Sequence, residues 1–250
     1  HKEYRRQRQM CIRDRFEMIP EFGHFALVLA LGIALVQSFS PWLSLIRVKT
    51  GGVVATAARL QFFLVTVSFL VLANSFVRDD FSVLYVANHS NLTLPIPYKL
   101  AAVWGGHEGS MLLWVEILAS WSFAVTVFGR GLPSVMRERA LGILGVVSSG
   151  FLTFILLTSN PFLRVFPVPG NGQDLNPLLQ DPGMVLHPPL LYMGYVGFSV
   201  PFAISVAALI NGRMDAAWAR WMRPWTTAAW SFLTMGIAPV SYTHLRAHET

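Results

Sequence analysis

FGHFALVLALGIALVQSFSPWLSL, residues 22–45, is an apolar run close to the length that crosses a bilayer as a helix. A membrane helix needs about 20 such residues, because the hydrocarbon core is some 30 Å thick and a helix rises 1.5 Å per residue. Five further runs follow at 57–77, 110–128, 140–158, 188–210 and 224–238, the last of them short. Composition agrees: charged residues are 13% of the chain and hydrophobic ones 54%, whereas a soluble domain carries about 25% charged residues. The expected fold is all-α, a polytopic integral membrane protein with about six transmembrane helices and ordered external loops. Residues 18–23 carry no basic stretch, and the run behind them is long enough to span, so the pattern is not that of a cleaved signal peptide.

The two ends break from this pattern. HKEYRRQRQMCIRDRFE at the start and PVSYTHLRAHET at the end resemble translated sequencing-adapter read-through. The expected division is a non-native tail over 1–17, a transmembrane body over 18–238 and a second non-native tail over 239–250. A basic juxtamembrane tail that binds anionic lipid is the alternative. Lys2, Arg5, Arg6, Arg8, Arg13 and Arg15 lie in the first tail with Glu3, Asp14 and Glu17, so half of the formal charge of +6 is an end effect. What remains gives no case for nucleic-acid binding. Cys11 is the only cysteine and lies in the same tail, which leaves the body without a thiol for disulfide exchange or sulfur ligation of iron.

Loop charges give an orientation. Arg47, Lys49 and Arg59, then Arg130, Arg137 and Arg139, then Arg213, Arg220 and Arg223 fall in alternate loops, against Arg78, Lys99 and Arg164 in the others. The positive-inside rule puts the first set in the cytoplasm. The start of the body, 78–109 and 159–187 then face outward, which in a bacterium is the periplasm across the inner membrane.

The outward segments are not generic linkers. Seven prolines and three glycines between 159 and 189 break the chain into turns, while Leu175, Leu178, Leu179, Met184, Val185 and Leu186 are apolar enough to pack. In WGGHEGSMLLW, 104–114, Gly105 and Gly106 permit a tight entry to a helix and Glu108 suits its N-terminal dipole. His107, Met111 and Trp114 share one helical face, which could line a porphyrin or quinone or make a helix–helix contact. Glu116 lies within a span, where a carboxylate is either functional or a neutral, hydrogen-bonded group near the interface. Trp42, Trp104, Trp218, Trp221 and Trp225 fall near span ends, as an interfacial belt requires. NHS at 88–90 and NLT at 91–93 match glycosylation acceptors, a pattern frequent by chance. No phosphate-cradling loop, Ser-His-Asp set, clustered metal spacing or internal repeat is present.

His187 stands directly before Pro188 and Pro189 at the head of the fifth run. Proline is tolerated in the first turn of a helix, so the pair is expected to open one there and to hold His187 at the water–lipid boundary. An imidazole so fixed either caps its own loop or holds a metal or haem iron.

MIPEFGHFALVLALGIAL (18–35), WGGHEGSMLLW (104–114), TSNPF (158–162), DLNPLLQDPGMVLHPPLLYMGYVGFSV (174–200) and RPWTTAAWSFLTMGIA (223–238) together resemble the N-terminal part of the CcmF/CycK/NrfE family of cytochrome c-type biogenesis proteins. The resemblance spans essentially all of 18–238. It implies a role in cytochrome c maturation, as membrane core of a bacterial haem lyase. The family works with CcmH and CcmI-like subunits, takes haem from the chaperone CcmE and joins it to apocytochrome c. The histidine of the HPPLLY motif is an axial haem ligand in the family, and it falls on His187. Trp104, His107, Glu108, Trp114, Pro188, Pro189 and Tyr192 are expected around that haem, with His107 and Glu108 shaping the surface and not ligating. The family's Trp-rich segment, second external histidine and the ligands of its resident haem b have no counterpart within this sequence, so the chain alone is expected to be inactive. Two other readings remain open. Pro201 within a span and Glu116 suit half of a haem or small-molecule transporter, and a non-catalytic scaffold for partner subunits is the third.

Overall fold

The computed structural model describes residues 18–43, 52–212 and 216–247. Its helices are α1 (Ile19–Leu43), α2 (Val53–Val77), α3 (Leu84–His89), α4 (Ile96–Ala102), α5 (His107–Phe128), α6 (Ser134–Thr158), α7 (Pro182–Gly197), α8 (Ser199–Ile210) and α9 (Ala216–Ala247). Among the described residues the only extended pairing is one isolated bridge between Val83 and Arg164. The helical membrane architecture expected from hydropathy is present. Among the described residues, five stretches are long and apolar enough to cross a membrane: Ile19–Leu43, Val53–Val77, His107–Gly131, Ser134–Thr158 and Val185–Ile210.

The sixth expected span, 224–238, is helical within α9 but is not among those five. Trp225, Thr226, Thr227, Trp230, Ser231 and Thr234 dilute its apolar character. The expected tail over 1–17 and residues 248–250 lie outside the described residues, as do Arg47, Lys49 and Arg213; positions 239–247 continue α9.

Burial of oil against oil gains little in lipid, so membrane helices associate through close packing of small residues and through interhelical hydrogen bonds. Both are visible. Ala26, Ala30 and Ala34 of α1 are buried. A Cβ on Gly145 of α6 would stand 2.9 Å from the Ser38 backbone nitrogen, and one on Gly142 would stand 2.7 Å from Pro41. That approach lets Gln37 Nε2 donate to the Leu141 carbonyl at 2.7 Å. Gln61 of α2 donates to Ser148 of α6.

One end of the bundle carries a folded cap made of α3, α4 and the 159–181 segment. Leu84 donates its N–H to the Leu163 carbonyl at 2.8 Å and Val165 to the Ser82 carbonyl at 3.0 Å. Arg164 grips both carboxylate oxygens of Glu21 on α1, at 2.9 and 2.8 Å. Lys99 on α4 reaches both oxygens of Asp79, just past α2, at 2.6 Å. The cap packs as its apolar residues predict at Leu175, which is fully buried, and at Leu179, which lies on the core. Leu186 departs from that expectation and is exposed. The side chains of Leu178 and Met184 lie outside the described ones.

Candidate functional site

The 104–114 segment enters α5 along a path that only glycine permits. A Cβ on Gly106 would meet His89 Nε2 at 2.5 Å, and one on Gly109 would meet the Val103 carbonyl at 1.7 Å. Tyr85 on α3 holds this turn. Its phenol oxygen accepts the Gly106 N–H at 2.9 Å and donates its single proton toward the carbonyls of Val103 (3.1 Å) and Ala102 (3.3 Å). Burial pushes the Tyr85 phenol up from its ordinary range, because the charged form would have no water. His89 donates Nδ1–H to the Tyr85 carbonyl at 2.9 Å and lays its ring 4.5 Å from the Tyr85 ring. Neither residue stood out in the sequence. Nor did Asn91, which was read only as a glycosylation match. Its side chain donates to Asp174 at 3.1 Å, and the adjacent Leu92 N–H donates to Asn171 at 3.0 Å, so the 88–93 turn docks on the 171–174 loop.

Beyond the turn, Glu108 sits in the first turn of α5, as its charge requires. His107 is exposed and its Nε2 lies 2.9 Å from the Ser159 hydroxyl. With Met111, Val146, Val147, Phe151 and Phe154 it lines a trough of about 460 Å³ between α5 and α6. Trp114 contacts Phe151 at 5.6 Å and Tyr192 of α7 at 5.4 Å. On this helical face Trp114 therefore makes a helix–helix contact, while His107 and Met111 line the trough. Trp104 packs against both halves of the core, and its indole N–H is buried without a hydrogen-bond partner. Glu116 is hydrogen-bonded within the bundle, its Oε1 accepting from the Thr66 hydroxyl at 2.8 Å.

His187 differs from expectation in one respect. The helix that carries it begins at Pro182, so Pro188 and Pro189 lie inside α7 and do not open it. The reason is the preceding aspartate. Asp181 Oδ1 accepts the Gly183 N–H at 2.8 Å and its carbonyl accepts the Val185 N–H at 3.0 Å. That is an N-cap followed by proline at the first helical position. The rule about proline holds, but it applies to Pro182. His187 is half-buried and its Nδ1 lies 2.7 Å from the Gly236 carbonyl of α9. A carbonyl only accepts, so Nδ1–H donates, which in a neutral ring leaves the lone pair on Nε2.

The sequence-derived residues thus form two groups. Trp104, His107, Glu108, Trp114 and Tyr192 belong to the α5 entry and its contacts with α6 and α7. His187, Pro188 and Pro189 lie at the α7–α9 contact. No hydrogen bond, ion pair or ring contact joins His187 to His107, Glu108 or Trp104. Among the described residues no three His, Cys, Asp or Glu side chains gather as a metal site. A haem iron does not need such a cluster; one imidazole lone pair on a face suffices, and His187 offers one.

The family model described as cytochrome C assembly protein matches residues 104–239. The cytochrome c-type biogenesis protein CcmF of Pseudomonas aeruginosa is 55% identical over 231 residues, covering 88% of this chain and 34% of that protein. CycK of Rhizobium meliloti is 54% identical over 227 residues, covering 90% and 34%. NrfE of Haemophilus influenzae is 46% identical over 223 residues, covering 88% and 35%. A solved structure of a cytochrome c haem lyase CcmF superimposes with a TM-score of 0.75 at 28% identity, over 87% of this chain and 35% of that one. The chain spans about a third of the length of these relatives. The family match takes in the glycine-entered α5, the Asp181-capped α7 and the start of α9 in one run, and the chain belongs to the cytochrome C assembly protein family.

Proposed function

We propose that this chain is the haem-handling N-terminal part of a cytochrome c haem lyase, and that His187 is an axial ligand to the haem being transferred. The observation that carries the reading is the His187–Gly236 bond. It leaves Nε2 as a free donor, held at the cap end of α7, and a neutral imidazole is what haem iron takes. The likeness to CcmF, CycK and NrfE proteins supports the place in cytochrome c maturation. The family match favours this reading over the transporter alternative.

In this reading the membrane is the bacterial inner membrane, and the cap, with 78–109 and 159–187, faces the periplasm. Haem is cargo. When bound it supplies the iron and the vinyl groups, across each of which an apocytochrome thiol adds, sulfur bonding one carbon and the thiol proton going to the other. The chain's own contribution is geometric. His187 fixes the iron, and Trp104, Trp114, Tyr192 and the Pro188–Pro189 pair within α7 set the surface around it. His107 and Glu108 shape the same face without ligating. CcmE-like haem donors, CcmH- and CcmI-like subunits and apocytochrome c are the partners, with lipid around the spans. A resident haem b belongs to the whole lyase, and its ligands are not assigned to residues of this chain.

The test is a chimaera in which residues 18–238 replace the matching third of the Pseudomonas aeruginosa relative, in a strain lacking its own copy. The expected result is restored covalent cytochrome c on haem-stained gels. A chimaera that accumulates in the membrane yet matures no cytochrome c contradicts the proposal.

A further inference from the structure

The α7–α9 contact has a feature the proposed chemistry does not by itself require. A Cβ on Gly194 would stand 2.5 Å from the Leu233 nitrogen, and one on Gly236 would stand 2.7 Å from the Leu191 nitrogen. These distances are below any real contact, so each helix presents a glycine where the other presents backbone. The approach brings the Gly236 carbonyl to 2.7 Å from His187 Nδ1, roughly one helical turn from Leu191. A carbonyl has two lone pairs, so this bond is compatible with the helix's own.

We propose that Gly236 is the positioning residue for His187: its carbonyl holds the imidazole as the Nδ1–H tautomer and aims Nε2 outward, and the close approach of α7 and α9, which Gly194 permits against Leu233 and Gly236 permits against Leu191, sets that distance. The inference rests on the ligand role of His187 given above. It adds that the glycine-permitted approach of α7 and α9 is what holds that bond in place. Without that bond an imidazole rotates about its side-chain torsions and exchanges tautomers, and the nitrogen facing the iron is then free to carry the proton. Second-sphere partners of this kind fix ring orientation and raise ligand basicity, and their loss lowers metal affinity by about 10- to 100-fold. In Gly236→Ala the added methyl meets the α7 backbone, which cannot move aside as a flexible side-chain end would. The helices separate and the bond breaks.

The test reads the tautomer directly. The whole chain, labelled with ¹⁵N-histidine and reconstituted in lipid at pH 8 without haem, is compared by solid-state NMR with His187→Gln to assign the His187 signals. The expected native spectrum has Nδ1 protonated and Nε2 bare. Gly236→Ala should shift His187 toward the Nε2–H form and weaken haem binding at least tenfold. Trp121→Phe serves as a packing control: it deletes the Trp121 Nε1 bond to the Met193 carbonyl at 3.1 Å and should leave the tautomer unchanged. A native His187 protonated on Nε2 overturns the proposal, and this needs no variant that folds. So does a folded Gly236→Ala chain with the native tautomer, or with the shifted tautomer and native haem affinity. The NMR result is independent of ligation, which fails separately if His187→Gly binds haem with an unchanged spectrum.

Discussion

Tyr85 shows how one phenol organises the entry to α5. It accepts from Gly106 and donates toward Val103 and Ala102, so Tyr85→Phe leaves a buried backbone N–H and a carbonyl unmatched. The expected cost is about 1–2 kcal/mol, seen as a lower midpoint in thermal unfolding. The pH dependence has a definite sign. Burial raises the folded-state phenol above its unfolded value of roughly 10. The stabilisation is complete below that value and is lost as pH rises through it, because the unfolded chain releases the proton first. Tyr85→Phe should therefore flatten the loss of stability above about pH 10. His107 makes a different prediction. It bonds to Ser159 and not to His187's neighbours, so in the chimaera His107→Ala should lower cytochrome c yield while leaving low-spin haem absorbance largely intact. Complete loss of that absorbance at normal protein level would show His107 to be a ligand. At this scale the sequence marked His187, His107 and Glu108 because their residue types carry chemistry. It did not mark Tyr85, His89 or Gly236, whose roles come from which backbone groups the fold brings beside them.

At the scale of elements, helix interiors were legible and most helix ends were not. The expected 140–158 begins at Ser134 in the structure, whereas α5 begins at His107, where the Gly105–Gly106 entry and Glu108 place it. Hydropathy reports where a helix is in lipid, and a helix continues beyond the lipid until a cap stops it. The start of α7 was misplaced for the same reason. Asp181–Pro182 is a capping signal, but it lies in a proline-rich stretch that reads as turns. The joint between α2 and the cap was also not legible, since Lys99 and Asp79 are twenty residues apart in sequence. Their pair is mostly buried, with side chains 7% and 19% exposed. Lys99→Met should cost about 3 kcal/mol by leaving the Asp79 charge unpaired. The double variant with Asp79→Asn should recover most of that. Asparagine is the suitable partner, because Asp79 has φ 55°, a left-handed conformation that Asn tolerates. Equal destabilisation of single and double variants, measured by thermal unfolding in detergent, would contradict a charge-based account.

For the whole molecule, the helical membrane architecture followed from composition alone, while the ordered cap followed only in outline. Its apolar residues predict that it packs, but the contacts of Arg164 with Glu21 and of Asn91 with Asp174 join segments far apart in the chain. Orientation is open to a direct check. In a Cys11→Ser background, cysteine at Ser134 should resist an impermeant thiol reagent in intact cells and cysteine at Gln173 should react. The reverse pattern would invert the molecule. The central claim is that the cap end presents His187 to haem iron, and one measurement addresses it most directly. In the chimaera, His187→Gly is assayed for holocytochrome c and for the haem absorbance of the purified lyase, with and without added imidazole. The account predicts loss of maturation without imidazole and partial recovery with it, as imidazole fills the vacated axial position. Normal maturation by His187→Gly in the absence of imidazole would contradict it.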